Sequence, residues 1–226
     1  MLPLRVILDR NRGGSFITSL LVGVSMFGMF LFLTFYMQGT LQYSALKSGF
    51  AFLPFSAGVI LSAGLASRLL PRFGPRPVMA TGLFLGTTGM LWLTQLGVDT
   101  AYLTHVLPSE ILLSVGMGLT FVPLSSTALT GVAQHDAGVA SATVNTTQQI
   151  GGSLGTALLN TIAASATTAF VLANGAQSIA EAQVAGYTTA FKWAAVIMAI
   201  GFVVTVTMIN AKPKSGDDLG VPAHVG

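Results

Sequence analysis

Long apolar runs, separated by short clusters of charge, proline and glycine, dominate the chain. A helix needs about 20 mostly apolar residues to cross a bilayer. Six runs reach that length, near 15–38, 49–70, 77–96, 105–129, 137–166 and 188–210. None alternates apolar and polar residues as a barrel strand does. In lipid every backbone N–H and C=O must be satisfied inside the protein, so helices are the spanning element. The pattern predicts an all-α integral membrane protein with six transmembrane helices across 15–210. Segment 1–14 is basic and reads as a cytoplasmic or interfacial lead-in. Segment 211–226 lacks apolar periodicity and reads as a disordered cytoplasmic tail.

Composition sharpens this picture. Of 226 residues, 52% are hydrophobic and 8% are charged, and the mean hydropathy is +0.75. Soluble domains carry roughly 25% charged residues, so this chain cannot coat a globular surface. A soluble enzyme, a nucleic-acid binder and a disordered chain are excluded. Cysteine is absent, which removes disulfides and thiolate metal sites. No metal or cofactor is expected. Arg5, Asp9, Arg10 and Arg12 precede the first long apolar run, so no signal peptide is read there.

The basic residues set an orientation. Six spans put both termini, the 68–77 loop and the 130–136 loop on one side. That side holds eight basic residues: Arg5, Arg10, Arg12, Arg68, Arg72, Arg76, Lys212 and Lys214. The other holds two, Lys47 and Lys192. Both termini are expected in the cytoplasm.

Enzyme signatures are missing: the chain has no HExxH, GxSxG or Walker A motif and no paired-carboxylate spacing. The protein is therefore expected not to be an enzyme. The 68–77 loop, RLLPRFGPRP, is the first informative segment. Pro71, Pro75 and Pro77 are expected to break helix there, and Gly74 permits a turn. It can be a basic turn that only sets topology, or a latch between helix bundles.

The fifth span, GVASATVNTTQQIGGSLGTALLNTI, is too polar for lipid. On a helical wheel Asn145, Gln149, Gly152, Thr156 and Asn160 fall within about 90°, with Gln148 beside them. Buried amides need partners. This face is either interhelical glue or the wall of a polar cavity. Asp136, just before the span, suits an N-cap. Gly151 and Gly155, like Gly82 and Gly86, have the spacing that lets backbones approach.

In the first span, Gly23, Phe27, Phe30, Thr34 and Gln38 follow one side. Aromatic and Met side chains suit varied apolar ligands, though packing and lipid contact account for many of them. Glu110 is the one acid well placed inside a span. It can be interfacial, or it can serve coupling or ligand binding.

Residues 1–210 resemble the C-terminal half of a major facilitator superfamily transporter. Within it, the similarity is to the fourteen-span drug:proton antiporters of bacteria, the EmrB/QacA-like group. The stretches that carry this are LPLRVILDRNRGGSF, FLTFYMQGTLQYSALKSGFAFLPF, LLPRFGPRP and HDAGVASATVNTTQQIGGSLGTALLNTI. Arg72, Gly74 and Arg76 match basic and glycine positions of that family's cytoplasmic loop motif, while Pro71 stands where its Asp would be.

The resemblance implies two inverted three-helix repeats. The first and fourth spans would line a central cavity, the second and fifth would face an opposite half, and the third and sixth would lie outside. It implies proton-coupled efflux of lipophilic or cationic drugs from the bacterial plasma membrane. The cavity wall here would include Phe27, Phe30, Thr34, Gln38, Glu110, Asn145, Gln148, Gln149 and Asn160. An N-terminal half, a partner chain or a second copy is then required. The family's proton-coupling acid lies in that half. A non-transporting fragment, a regulatory subunit and a small homodimeric transporter are the alternatives.

Overall fold

The computed structural model describes residues 9–132, 136–175 and 179–210. Helix α1 spans Arg10–Phe35. Asp9 caps it, accepting from the backbone N–H groups of Asn11 at 3.1 Å and Arg12 at 3.0 Å. The helix widens into a π-helical turn over Tyr36–Thr40. A short α2, Ala45–Ala51, starts at Ser44, whose hydroxyl accepts from the Lys47 N–H. Then come α3, Leu53–Phe73, and α4, Pro75–Leu93. A second π-helical turn, Tyr102–Val106, leads into α5, Leu107–Leu129. The chain closes with α6, Ala137–Asn174, and α7, Ile179–Met208. No strand occurs among the described residues.

Each of the six expected spans is a helix. Five of them, with their flanking turns, are long and apolar enough to cross a membrane by length and composition. The exception is α4, which opens on Pro-Arg-Pro and packs between α5 and α7.

The packing order is not the chain order. α1 packs chiefly on α6 and α7, and α5 packs chiefly on α3 and α4. α4 also meets α7, whereas the chain neighbours α3 and α4 touch little. Exchanging α1 with α5, α3 with α6 and α4 with α7 carries the α1–α6 and α1–α7 contacts onto α5–α3 and α5–α4 and the α4–α7 contact onto itself, while α6 also packs on α7 as α3 does not on α4. Alternating span direction makes the exchanged helices antiparallel. The architecture is therefore two inverted three-helix repeats, half of a major facilitator fold.

Small residues permit the close crossings. A Cβ on Gly116 would lie 2.5 Å from the Gly82 carbonyl oxygen, and one on Gly82 would lie 2.6 Å from that of Gly116. Gly151 and Gly155 bring α6 equally close to α1. Hydroxyls bridge the α1–α6, α1–α7 and α3–α5 seams: Ser19 donates to the Val144 carbonyl at 3.1 Å, Ser25 to that of Ala194 at 3.0 Å, and Ser62 to that of Ser114 at 3.1 Å. Met29, Phe32, Leu33, Leu83, Leu113 and Phe191 fill the core between them.

Four boundaries differ from the sequence expectation. α1 begins at Arg10, because Asp9 supplies a cap ahead of the apolar run. α6 runs on to Asn174, since no breaker precedes Gly175, and α7 begins at Ile179. Pro71 does not break helix: α3 continues through it to Phe73. Pro71 forfeits the bond that an N–H would make to the Ser67 carbonyl and crowds that carbonyl, and the helix ends two residues later. Pro75 and Pro77 open α4, where the first N–H groups have no helical partner anyway. The expected ten-residue loop thus reduces to Gly74, with φ 78° and ψ 171°.

Candidate functional site

The amide-bearing arc of α6 is half covered. Gly152 packs under the Phe27 ring, and the Gln148 backbone lies against Gly23. Thr156 and Gln148 are partly buried by α1, while Asn145, Gln149, Ser153 and Asn160 are exposed. Among the described residues, the side-chain amides of Asn145, Gln148, Gln149 and Asn160 make no hydrogen bond. The most apolar stretch of α6 is 11% buried and that of α3 is 17% buried, against 67% for α1. The two exposed helices are those that the repeat symmetry exchanges.

Two adjoining grooves follow this arc. The first, of about 640 Å³, lies between Phe27, Leu31 and Phe35 of α1 and Gly152, Ser153, Thr156, Ala157 and Asn160 of α6. The second, of about 450 Å³, is lined by Asn145, Thr146, Gln149, Ile150, Ser153 and Leu154. Ser153 belongs to both. One wall is aromatic and the other bears hydroxyls and amides, a combination that holds a mostly apolar molecule and orients its polar group.

The structure brings Phe27 and Asn160 together in the first groove and Asn145 and Gln149 together in the second. Gln148 sits at the α1 crossing. Phe30 turns toward the α2–α3 region, with ring centroids 5.4 Å from Phe52 and 5.1 Å from Phe55. Thr34 spends its hydroxyl on the Phe30 carbonyl at 2.6 Å. Gln38 is exposed in the first π-helical turn. Leu31, Phe35 and Ser153 were not among the expected residues. Ser153 follows Gln149 by four and shares its face, so the wheel carried that signal. Leu31 and Phe35 repeat the helical spacing from Phe27.

Glu110 is elsewhere. It lies in the first turn of α5, fully buried, and lines neither groove. Arg72 and Arg76 are exposed on either side of buried Gly74. Asp136 stands at the N-cap position of α6. Residues 1–8 and 211–226, with His135, lie outside the described residues.

A helical bundle of inverted repeats with one open polar face has a counterpart in sequence. The profile of the Major Facilitator Superfamily matches residues 2–156. The chain belongs to this superfamily. It is 42% identical over 225 residues to the puromycin resistance protein pur8 of Streptomyces alboniger, covering 97% of this chain and 45% of that protein. It is 41% identical over 150 residues to the cephamycin export protein CmcT of Amycolatopsis lactamdurans, covering 66% of this chain and 31% of that one. A multidrug resistance protein B homolog of Mycobacterium tuberculosis is 28% identical over 163 residues, covering 72% and 30%. The chain spans less than half the length of these relatives.

Membership places the chain in a superfamily of multi-pass membrane transporters, not of enzymes. Its relatives are named for drug resistance and export.

Proposed function

We propose that this chain forms the C-terminal half of a proton-coupled drug efflux transporter in the bacterial plasma membrane, with both termini cytoplasmic. The observation that carries the reading is the open face of α6. Several unpartnered amides stand there beside an aromatic wall, on a helix otherwise apolar enough to span. In contact with hydrocarbon, each such amide costs several kcal/mol by transfer arithmetic. The face therefore calls for another bundle or for water. Packing a second six-helix half against α3 and α6 would convert the grooves into one enclosed cavity. The two halves would rock about that cavity to expose it to either side in turn.

Lipophilic or cationic compounds fit such a wall. Phe27, Leu31 and Phe35 offer apolar and π surface to a flat or cationic body. Asn145, Gln149, Ser153 and Asn160 offer hydrogen-bonding groups that adapt to either donors or acceptors. The relatives named for puromycin resistance and cephamycin export support a small organic drug as cargo.

The test is resistance and dye efflux in a drug-sensitive bacterial host. The chain is expressed alone, and again with a matching N-terminal half. Efflux is expected with both halves together. Failure of the pair to extrude lipophilic cations, with both polypeptides shown in the membrane, would overturn the reading. Efflux by the chain alone as a dimer would assign the second half to another copy.

A further inference from the structure

At the end of the bundle remote from Gly74, Tyr102 meets a buried carboxyl, with Tyr43 beside Tyr102. Glu110 Oε2 lies 3.1 Å from the Tyr102 hydroxyl. Its Oε1 is buried with no hydrogen-bond partner among the described residues. The Tyr102 hydroxyl also lies 2.7 Å from the carbonyl oxygen of Ala51, the last residue of α2. The Tyr43 and Tyr102 ring centroids are 6.5 Å apart, and Lys47 Nζ sits 3.7 Å over the Tyr43 ring. Tyr36 is committed elsewhere, donating to the Gly97 carbonyl at 2.8 Å.

Counting hydrogens constrains this cluster. A phenol has one hydrogen to donate. A carbonyl and an ionised carboxylate can only accept. Tyr102 serves both only by sharing its hydrogen, as Tyr36 does between the Gly97 and Thr100 carbonyls, and a hydrogen on Glu110 would remove that competition. With a neutral carboxyl, Glu110 donates to the Tyr102 oxygen while Tyr102 donates to Ala51. With an ionised carboxylate, the hydrogen of Tyr102 goes to the charged acceptor, because such bonds are roughly twice as strong as neutral ones. Ala51 then loses its tie to the segment that leads into α5.

We propose that Glu110 is a proton-binding site whose proton, relayed through Tyr102, fastens the α2–α3 junction to the start of α5. The proposal deepens the proton-coupled reading by naming a group that takes up the proton, and it rests on that reading for its purpose.

Every other charged side chain on the helices packed against α5 is remote. Asp9, Arg10 and Arg12 at α1, Arg68 and Arg72 of α3, Arg76 of α4 and Asp136 before α6 all lie at the opposite end. On the near end, Lys47 stands beyond Tyr43. Asp99 is exposed in the α4–α5 connection, and His105 Nδ1 lies 2.9 Å from the Thr104 hydroxyl. Only Tyr102 hydrogen-bonds to Glu110 among the described residues.

The test uses the full chain in lipid nanodiscs, titrated with pH and followed by infrared difference spectroscopy and by hydrogen exchange. A carboxylic C=O band that titrates is expected in the wild type. It should vanish in Glu110→Gln and change frequency in Tyr102→Phe. Exchange within 45–52, corrected for the chemical rate, should slow several-fold on protonation in the wild type and lose that pH dependence in both variants. Should Glu110→Gln not insert, Tyr102→Phe carries the same two readouts.

Three results overturn the proposal: a band that survives Glu110→Gln, a Glu110 with one protonation state at every pH reached, or pH-dependent exchange that persists in both variants. Dye efflux by the paired halves is scored separately. A failed titration with working efflux removes the proton site alone. A titrating Glu110 without efflux removes the transport reading alone.

Discussion

Gly155 and Val24 meet backbone to backbone. A Cβ on Gly155 would lie 2.5 Å from both the Val24 Cα and its carbonyl oxygen. Neither atom belongs to a flexible side chain, so α6 and α1 would have to separate. Gly155→Val should therefore destabilise the bundle by about 1–3 kcal/mol, the usual range for overpacking. Gly64→Ala is the control: nothing lies within 4 Å of its Cβ position, and alanine favours helix by up to about 1 kcal/mol. Thermal unfolding in detergent should show a lowered midpoint for the first and an unchanged or raised one for the second. Equal midpoints would mean that α1 and α6 are not in this contact.

Groove residues should be accessible in the assembled transporter. Cysteines at Gln149 and Asn160 are expected to react with small polar thiol reagents, and bound substrate should slow them. A cysteine at Phe84, exposed on the outer helix α4, should stay unreactive in lipid. Phe27→Ala removes the ring that covers Gly152 and should weaken dye binding about tenfold, or ~1.4 kcal/mol. Unreactive thiols at both polar positions would return the amides to a packing role.

Much of this was legible from the sequence, for reasons that differ by element. The six spans were readable because apolar length is a local property. The polar arc of α6 was readable because 3.6-residue periodicity maps onto a face without knowledge of neighbours. The division of that arc, with Gly152 and Gln148 under α1 and Asn145 and Gln149 open, depends on how α1 crosses it. That crossing is set by Gly151 and Gly155 meeting particular backbone atoms, which spacing alone does not show. Glu110 looked shallow because it lies one turn into its helix. It is buried because the Tyr102 turn and the α2–α3 junction fold over it, and these come from distant parts of the chain. The three prolines and Gly74 were readable as an interruption of helix, but its place at Gly74 alone, with Pro71 still inside α3, was not.

Orientation is a separate expectation. Reporter fusions at Gly97 and Gly226 should fall on opposite sides of the membrane, Gly226 in the cytoplasm, because eight of ten basic residues lie on that side. A C-terminus reported outside would invert the bundle or remove one of its spans.

The open faces of α3 and α6 also set a limit on competence. A transporter needs two gates around one site, and six helices furnish one wall. Purified chain in liposomes, shown to be monomeric, should leave a fluorescent cationic dye unmoved under a pH gradient. Adding an N-terminal half or allowing dimers to form should be the condition for movement. Gradient-driven uptake by monomers would contradict the arrangement.

Gly74 carries a mechanical consequence. α3 and α4 are joined through this single residue, touch little along their lengths, and both grip α5. The pair acts as a sprung clip, with its bend stored in two torsion angles and α5 as the rod between its arms. The angle between the arms is thereby set at one residue, and a side chain at that position, where φ is positive and ψ is 171°, would be strained and would change that angle.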